Sequence, residues 1–314
     1  MTAGAGEQQG SVSTEVVREH FPILRRSIHG KQLAYPDNGG SSLKPQAMVD
    51  RLKNFYSHEF ANTNEENRLS RAATQTIEEV RSCMANALGA ASAEEIVFVR
   101  SATEAVNLVA YAFERSQLSN GDEVVATETE HDSNFLPWQI ACERSGAKLR
   151  IVPIQDSGLL DLSALEATLS DRTKIIAIAH VSNVFETVYH VHQIASIARR
   201  RGIALFLDGA QAAPHLPVNV RDIGYDFYAI PAHKMGGPTG VGILYGRREW
   251  LEKFPLYQVG GTMASSVSPT THKGGPSPRS SKPGRKRLAR SWPSVPRFGT
   301  ARCLACRLLA SRRK

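Results

Sequence analysis

Several features that would each point to a function class are missing from this 314-residue chain. No apolar run approaches the roughly 20 residues that span a bilayer, so no membrane association is expected. The opening MTAGAGEQQGSVS lacks the basic-then-apolar layout of a signal peptide. It reads as a flexible terminus over residues 1–14, and cytoplasmic residence is expected. Neither G-x-x-x-x-G-K-[ST] nor G-x-G-x-x-G occurs, which weakens nucleotide-binding readings. Cysteines number only four. Cys83 and Cys142 fall inside helical patterns and are expected as small core residues. Cys303 and Cys306 form a single CLAC with no second Cys or His pair nearby, so no metal site is expected.

Negative charge is absent from a long stretch. Residues 271–314 hold 13 of the 38 Lys and Arg and no Asp or Glu, leaving 25 basic against 30 acidic residues, a net −5, in 1–270. The formal +8 of the whole chain therefore belongs to one end. That end, SSKPGRKRLARSWPSVPRFG included, offers a nucleic-acid-binding reading through non-specific phosphate contacts. It has no aromatic pattern beyond Trp292 and Phe298 and no recognised binding module, so nucleic acid is not the expected partner. Patterning stops near residue 264, and the Ser, Pro, Gly and Arg of 265–314 predict a disordered basic tail.

What is present looks globular: 41% apolar and 22% charged residues, in a chain long enough to bury a sizeable core. From about residue 90 to 246, apolar β-rich runs alternate with helical patterns. The strand candidates are EEIVFVR, GDEVVAT, AKLRIVPI, TKIIAIAHVSN, IALFLDGAQ, YDFYAIP and GVGILYG. Between them, ATEAVNLVAYAFERS places Val106, Leu108, Val109 and Ala112 at helical spacing, and FLPWQIACERSG and HQIASIARRRG each close on glycine. Upstream, PQAMVDRLKNFYSHEF and TQTIEEVRSCMANALGA read as helices joined by ANTNEENRLSR. The alternation predicts an α/β fold, a mostly parallel sheet between helices. Such sheets bind ligands beyond the carboxyl ends of their strands, which directs attention to the loops after residues 100, 127, 180, 208 and 231.

Each of those loops carries reactive or polar residues. RSATEAVN puts small and hydroxyl residues at a helix start, where free N–H groups favour phosphate; an ordinary cap by Ser101 or Thr103 is the alternative. EHDSN offers His131, although a lone histidine is also a common structural residue. HVSN brings His180, Ser182 and Asn183 to a strand end. LDGAQ sets Asp208 directly after IALFL, where a buried carboxylate needs a cationic partner or serves as a cap. In AHKMGGPTGVG, Lys234 follows a strand and precedes a glycine-rich turn, a place where an amine can be desolvated into a nucleophile. A surface lysine is the alternative. Phosphate anchor, ring, carboxylate and lysine are together the set that pyridoxal phosphate requires. The lysine bonds to its aldehyde, the carboxylate keeps the pyridine nitrogen protonated, and the ring stacks on its face.

The order and spacing of FPILRRSIHGKQLAYPDN, EEIVFVRSATEAVNLVA, EHDSNFLPWQ, HVSNV, DGAQAAPHLPVNV, YDFYAIPAHKMGGPTGVGILYG and GGTM resemble class V aminotransferase-fold enzymes, and among them the Suf-type cysteine desulfurase and selenocysteine lyase branch. The resemblance runs from about residue 15 to 267. It implies the large domain of the fold type I PLP-dependent transferases over 15–264, with Lys234 bonded to the cofactor and moving the proton at the substrate Cα. It implies His131 on the ring face, Asp208 at the pyridine nitrogen, Gln211 and Asn183 near the ring oxygen, and Thr103 and His233 at the phosphate. The implied reaction takes sulfur from a cysteine-like amino acid and leaves alanine, in a homodimer. A lyase or epimerase acting on another amino acid is the alternative.

Departures from the family pattern touch two phosphate contacts and, more fully, the substrate pocket. Ala102 and Pro231 stand where hydroxyl residues are usual, Asn64-Glu65-Glu66 replaces a His-Arg-Gly element, and Gly39-Gly40 replaces an Ala-Ala pair. Near Glu186 a usual glycine is missing. Beyond GGTM the family continues with an FEAGT element and a GLGAA-like helix. Codons for SSKPGRKRL and SWPSVPRFG can be chosen whose one-base-shifted reading gives FEAGTEEV and LAFGAAVR. A frameshift after about codon 268 is therefore expected, with the C-terminal small domain lost and activity impaired.

Overall fold

The computed structural model describes residues 13–63, 67–258, 264–267 and 272–274. An N-terminal segment contains α1 (Thr14–Glu19) and a short hairpin of β1 (Ser27–Ile28) and β2 (Lys31–Gln32). It leads into α2 (Gln46–Asn54), which runs on as one wider turn over Phe55–Glu59, and α3 (Arg68–Leu88). The last helix starts earlier than its periodicity predicts and takes in RLSR from the expected joining segment. The reason is a cap: the Asn67 side chain accepts from Ser70 N at 2.9 Å, satisfying one of the free N–H groups at the helix start.

Then come β3 (Ile96–Val99), α4 (Ala102–Ser116), β4 (Glu123–Thr127), α5 (Asp132–Ser145), β5 (Lys148–Val152), α6 (Leu162–Thr168) and β6 (Thr173–Ala179). They are followed by α7 (Val191–Arg200), β7 (Ala204–Asp208), α8 (Val220–Ile223), β8 (Phe227–Pro231), β9 (Gly242–Gly246) and α9 (Arg248–Leu251). All seven expected strands form, in one seven-stranded sheet of order β3-β9-β8-β7-β6-β4-β5. Only the β9 pairings are antiparallel. The expected α/β fold with a mostly parallel sheet is thus the observed one.

Strand residues alternate between two buried faces, as parallel strands covered on both sides must. Ile176, Ile178, Leu205 and Leu207 pack with Leu88 of α3 and Ile194 of α7. Ile175, Ala177, Phe206 and Phe227 pack with Val109 and Phe113 of α4 and Trp138 of α5. Both Cys83, which is half-buried, and Cys142, which is buried, fall in the core as expected, and burial pushes the Cys142 thiol up to about 11.

Past the sheet, β10 (Ala264–Val267) and β11 (His272–Gly274) pair antiparallel, inside a stretch where the sequence shows no patterning. Main-chain pairing needs no side-chain periodicity, so composition alone misses it. Asn64-Glu65-Glu66, Trp292, Phe298, Cys303, Cys306 and the basic residues from Arg279 onward lie outside the described residues. Among the described residues no helix is long and apolar enough to cross a membrane.

Candidate active site

At the end of β7, Asp208 is only 8% exposed. Its Oδ1 accepts from Ala210 N at 2.9 Å. Burial raises its pKa, while that backbone bond and the nearby charges of Lys234 and His131 draw it down. Gly209 must follow, because a Cβ there would lie 2.2 Å from the Tyr228 ring.

On the neighbouring strand β8, Pro231 leads into a 3₁₀ turn, Ala232–Lys234. Met235 N and Gly237 N both return to the Ala232 carbonyl, at 2.9 and 3.0 Å. Lys234 therefore sits at a tight corner, half-buried. Burial lowers its pKa, and Asp208 and Asp37 oppose that shift. A half-buried amine beside a carboxylate is not an ordinary surface lysine, and such a group can serve as a nucleophile.

His131, at the exit of β4, has a structural role and also lies near Asp208. Its Nδ1 caps α5 by accepting from Ser133 N at 3.1 Å, and its exposed ring lies close enough to Asp208 to act on its charge. At the exit of β3, Ser101 caps α4 by accepting from Glu104 N at 3.1 Å. Thr103 lies two positions on, its Oγ1 2.9 Å from Ser133 Oγ. The cap and the anchor are compatible: one N–H is used, and two hydroxyls flank the others, which lack intrahelical partners. His180 and Asn183 part company. The His180 ring is buried with Nδ1 2.9 Å from Tyr228 Oη, and burial, helped by His192, lowers it to about 4. Ser182 Oγ accepts from Val184 N and Phe185 N, both at 3.2 Å, leaving Asn183 exposed. In this loop Glu186 has a φ of +56°. That is the left-handed region favouring glycine, at the place where the family resemblance expects one.

Residues 37–44, which the strand-end rule does not reach, close over the site. Gln211 Nε2 donates to Gly39 O at 3.0 Å. Ser42 N, Ser42 Oγ and Lys44 Nζ all donate to His233 O, at 3.0, 2.8 and 2.8 Å, and His233 Nδ1 lies 3.2 Å from Ser41 Oγ. At Gly40 a Cβ would come within 2.6 Å of the Asp37 carboxylate, which that flexible side chain can shift to relieve. The turn-rich run PDNGGSSLKP was the available signal. Glu130 was also missed. Its carboxylate accepts from Thr127 Oγ1 and Asn134 Nδ2 at 2.6 Å and from Ala179 N at 3.0 Å. Burial pushes it up to about 7 against those bonds, with Asp208 adding to the rise.

The donor set suits pyridoxal phosphate. A lysine of lowered pKa is available for the aldehyde and a buried carboxylate for the ring nitrogen. The hydroxyls of Thr103 and Ser133, beside the start of α4, could take a phosphate. Residues 34–284 match the Aminotransferase class-V family. The chain belongs to that family. Class V aminotransferases are PLP-dependent, and the match extends beyond residue 267, where the family resemblance was expected to stop. This class V chain is 45% identical over 255 residues to the cysteine desulfurase of Dickeya dadantii (strain 3937), covering 81% of this chain and 62% of that one. It resembles the apo structure of the cysteine desulfurase from Thermococcus onnurineus NA1 with a TM-score of 0.83 and 32% identity, over 95% and 71% of the two chains. A structure of SspA in complex with cysteine matches at 0.68 and 27%, over 76% and 69%. The chain spans 37–64% of the length of curated relatives such as these.

Proposed function

We propose that this chain is a PLP-binding protein of the Suf-type cysteine desulfurase branch, acting on a cysteine-like amino acid to release sulfur and leave alanine. One observation carries the reading: the half-buried Lys234 amine, its pKa lowered by burial, faces the buried Asp208 carboxylate from the adjacent strand end. Bound PLP supplies an electron sink for the pair released at the substrate Cα. In this reading Lys234 attaches the cofactor and moves the Cα proton, and Asp208 holds positive charge at the pyridine nitrogen. His131 covers one face, Thr103 and His233 hold phosphate, and Gln211 and Asn183 lie towards the ring oxygen. The similarity to enzymes named cysteine desulfurase and to SspA bound to cysteine supports the substrate class.

The test is direct. Purified protein given PLP should show a band near the visible edge that vanishes on borohydride treatment and is missing in Lys234→Ala. Absence of any uptake by the parent protein refutes the cofactor assignment, and alanine release from another amino acid but not cysteine refutes the substrate. A homodimer and a cofactor-binding unit over 15–264 belong to the same proposal, read by sedimentation and limited proteolysis. So does the frameshift after about codon 268, which coding DNA lacking the FEAGT and GLGAA-like words one base out of register would eliminate.

A further inference from the structure

We propose that Lys44, with Ser42, is a positioning residue for Lys234: together they clamp the His233 carbonyl and fix the turn from which the Lys234 amine projects. The inference rests on Lys234 being the reactive amine. A carbonyl oxygen offers two lone pairs, yet four donors converge on His233 O: Ser42 N at 3.0 Å, Ser42 Oγ and Lys44 Nζ each at 2.8 Å, and Ser41 Oγ at 3.4 Å. One of them is an ammonium, and charge-assisted bonds are the stronger kind. Ser42 Oγ also accepts from Gly236 N at 2.7 Å, so one hydroxyl spans the turn from the residue before Lys234 to the second after it.

The turn needs such a brace. It is a single 3₁₀ turn of three residues, a geometry with poorer hydrogen bonds than an α-helix. It continues into Gly236, at a φ of +72°, and Gly237, both free of side chains that could pack. Lys44 is itself partly desolvated, and burial lowers its pKa. Among the described residues no carboxylate forms an ion pair with it, so its ammonium is committed to a backbone oxygen at an energetic cost. Its charge also bears on His233: burial, then Lys234, then Lys44 lower that imidazole, leaving the ring neutral beside Ser41. The other charged groups facing Lys234 are Asp208 from β7 and Asp37 from the same N-terminal segment as Lys44, and both favour its protonated form.

The experiment compares the parent protein with Lys44→Met, Lys44→Arg and Ser42→Ala. Acetic anhydride labelling of Lys234 is followed against pH by peptide mass spectrometry on cofactor-free protein. The rate of PLP attachment is followed by borohydride trapping. Loss of the clamp lets the turn relax and water reach the amine, so Lys44→Met should move the Lys234 labelling midpoint up by about half a pH unit or more and slow attachment roughly tenfold. Lys44→Arg, which keeps a cationic donor, should restore both. If Lys44→Met is not folded by circular dichroism, Ser42→Ala carries the test with the same expected direction. A labelling profile in Lys44→Met equal to that of the parent, or Lys44→Arg behaving like Lys44→Met, overturns the proposal. A parent protein that attaches no PLP defeats the functional reading instead, and the labelling profile still decides about Lys44.

Discussion

His180 and Asp208 occupy neighbouring strand ends and feel the same desolvation with opposite consequences, since burial penalises whichever form carries charge. His180, lowered from 6.5 to about 4, stays neutral in the folded protein down to that range, while the unfolded chain takes up a proton there once pH falls below about 6.5. Its contribution is complete above pH 6.5 and is lost as pH falls towards 4, a change of roughly 3 kcal/mol. Melting curves of His180→Gln and the parent should therefore converge as the pH drops through that window; a constant offset would show that His180 is not held neutral. Glu130, raised to about 7, has the reverse sign: its contribution is present below pH 4.5 and lost as pH rises through 7. Glu130→Gln should flatten that loss. Asp208→Asn removes a charge that favours protonated Lys234. The Lys234 labelling midpoint should move down, opposite in direction to Lys44→Met, and PLP affinity should fall by tenfold or more. An unmoved midpoint would separate the two residues.

Elements approach one another closely where the site is built, and glycines permit it. Gly242 in β9 lies against the first residues before α4, where a Cβ would sit 2.8 Å from the Ser101 carbonyl carbon. Backbone cannot rotate aside as a side chain can, so Gly242→Ala must push the start of α4 outward. The expected cost is about 1–3 kcal/mol in denaturant unfolding, with weaker PLP retention because the helix start and Thr103 move together. Behind the same helix, Phe113 meets Trp138 edge-on at 6.0 Å and Trp250 at 5.3 Å. Phe113→Ala should cost about 3–5 kcal/mol. If Gly242→Ala loses stability but keeps cofactor, the α4 start is not part of the phosphate anchor.

At the scale of the whole molecule the charge is divided along the chain rather than spread over it. A net −5 over 1–270 and 13 cations without an acid in 271–314 predict opposite chromatographic behaviour for two forms of the protein. At neutral pH the full chain should bind a cation exchanger, and a form ending at residue 270 an anion exchanger. Nucleic-acid affinity should be weak in the full chain, fall steeply with salt, and vanish in the shorter form. Affinity that survives the truncation would locate a basic surface on the α/β body instead.

Much of this was legible in the sequence because it is governed by local rules. Alternating apolar runs and amphipathic helices predict a layered α/β fold, and the strand-end rule then singles out Thr103, His131, Asp208 and Lys234 before any contact is known. Each is specified by the few residues around it. Other features depend on chain segments meeting across long separations, and no local pattern records them. Lys44 reaches a carbonyl 189 residues away, Glu130 ties β4 to β6 through Ala179 N, and His180 turns into the core to meet Tyr228. The sequence by itself determined which groups could do chemistry at the sheet's edge. Only the tertiary structure decided which are desolvated, braced or withdrawn, because desolvation and long-range hydrogen bonds exist only once the segments have packed.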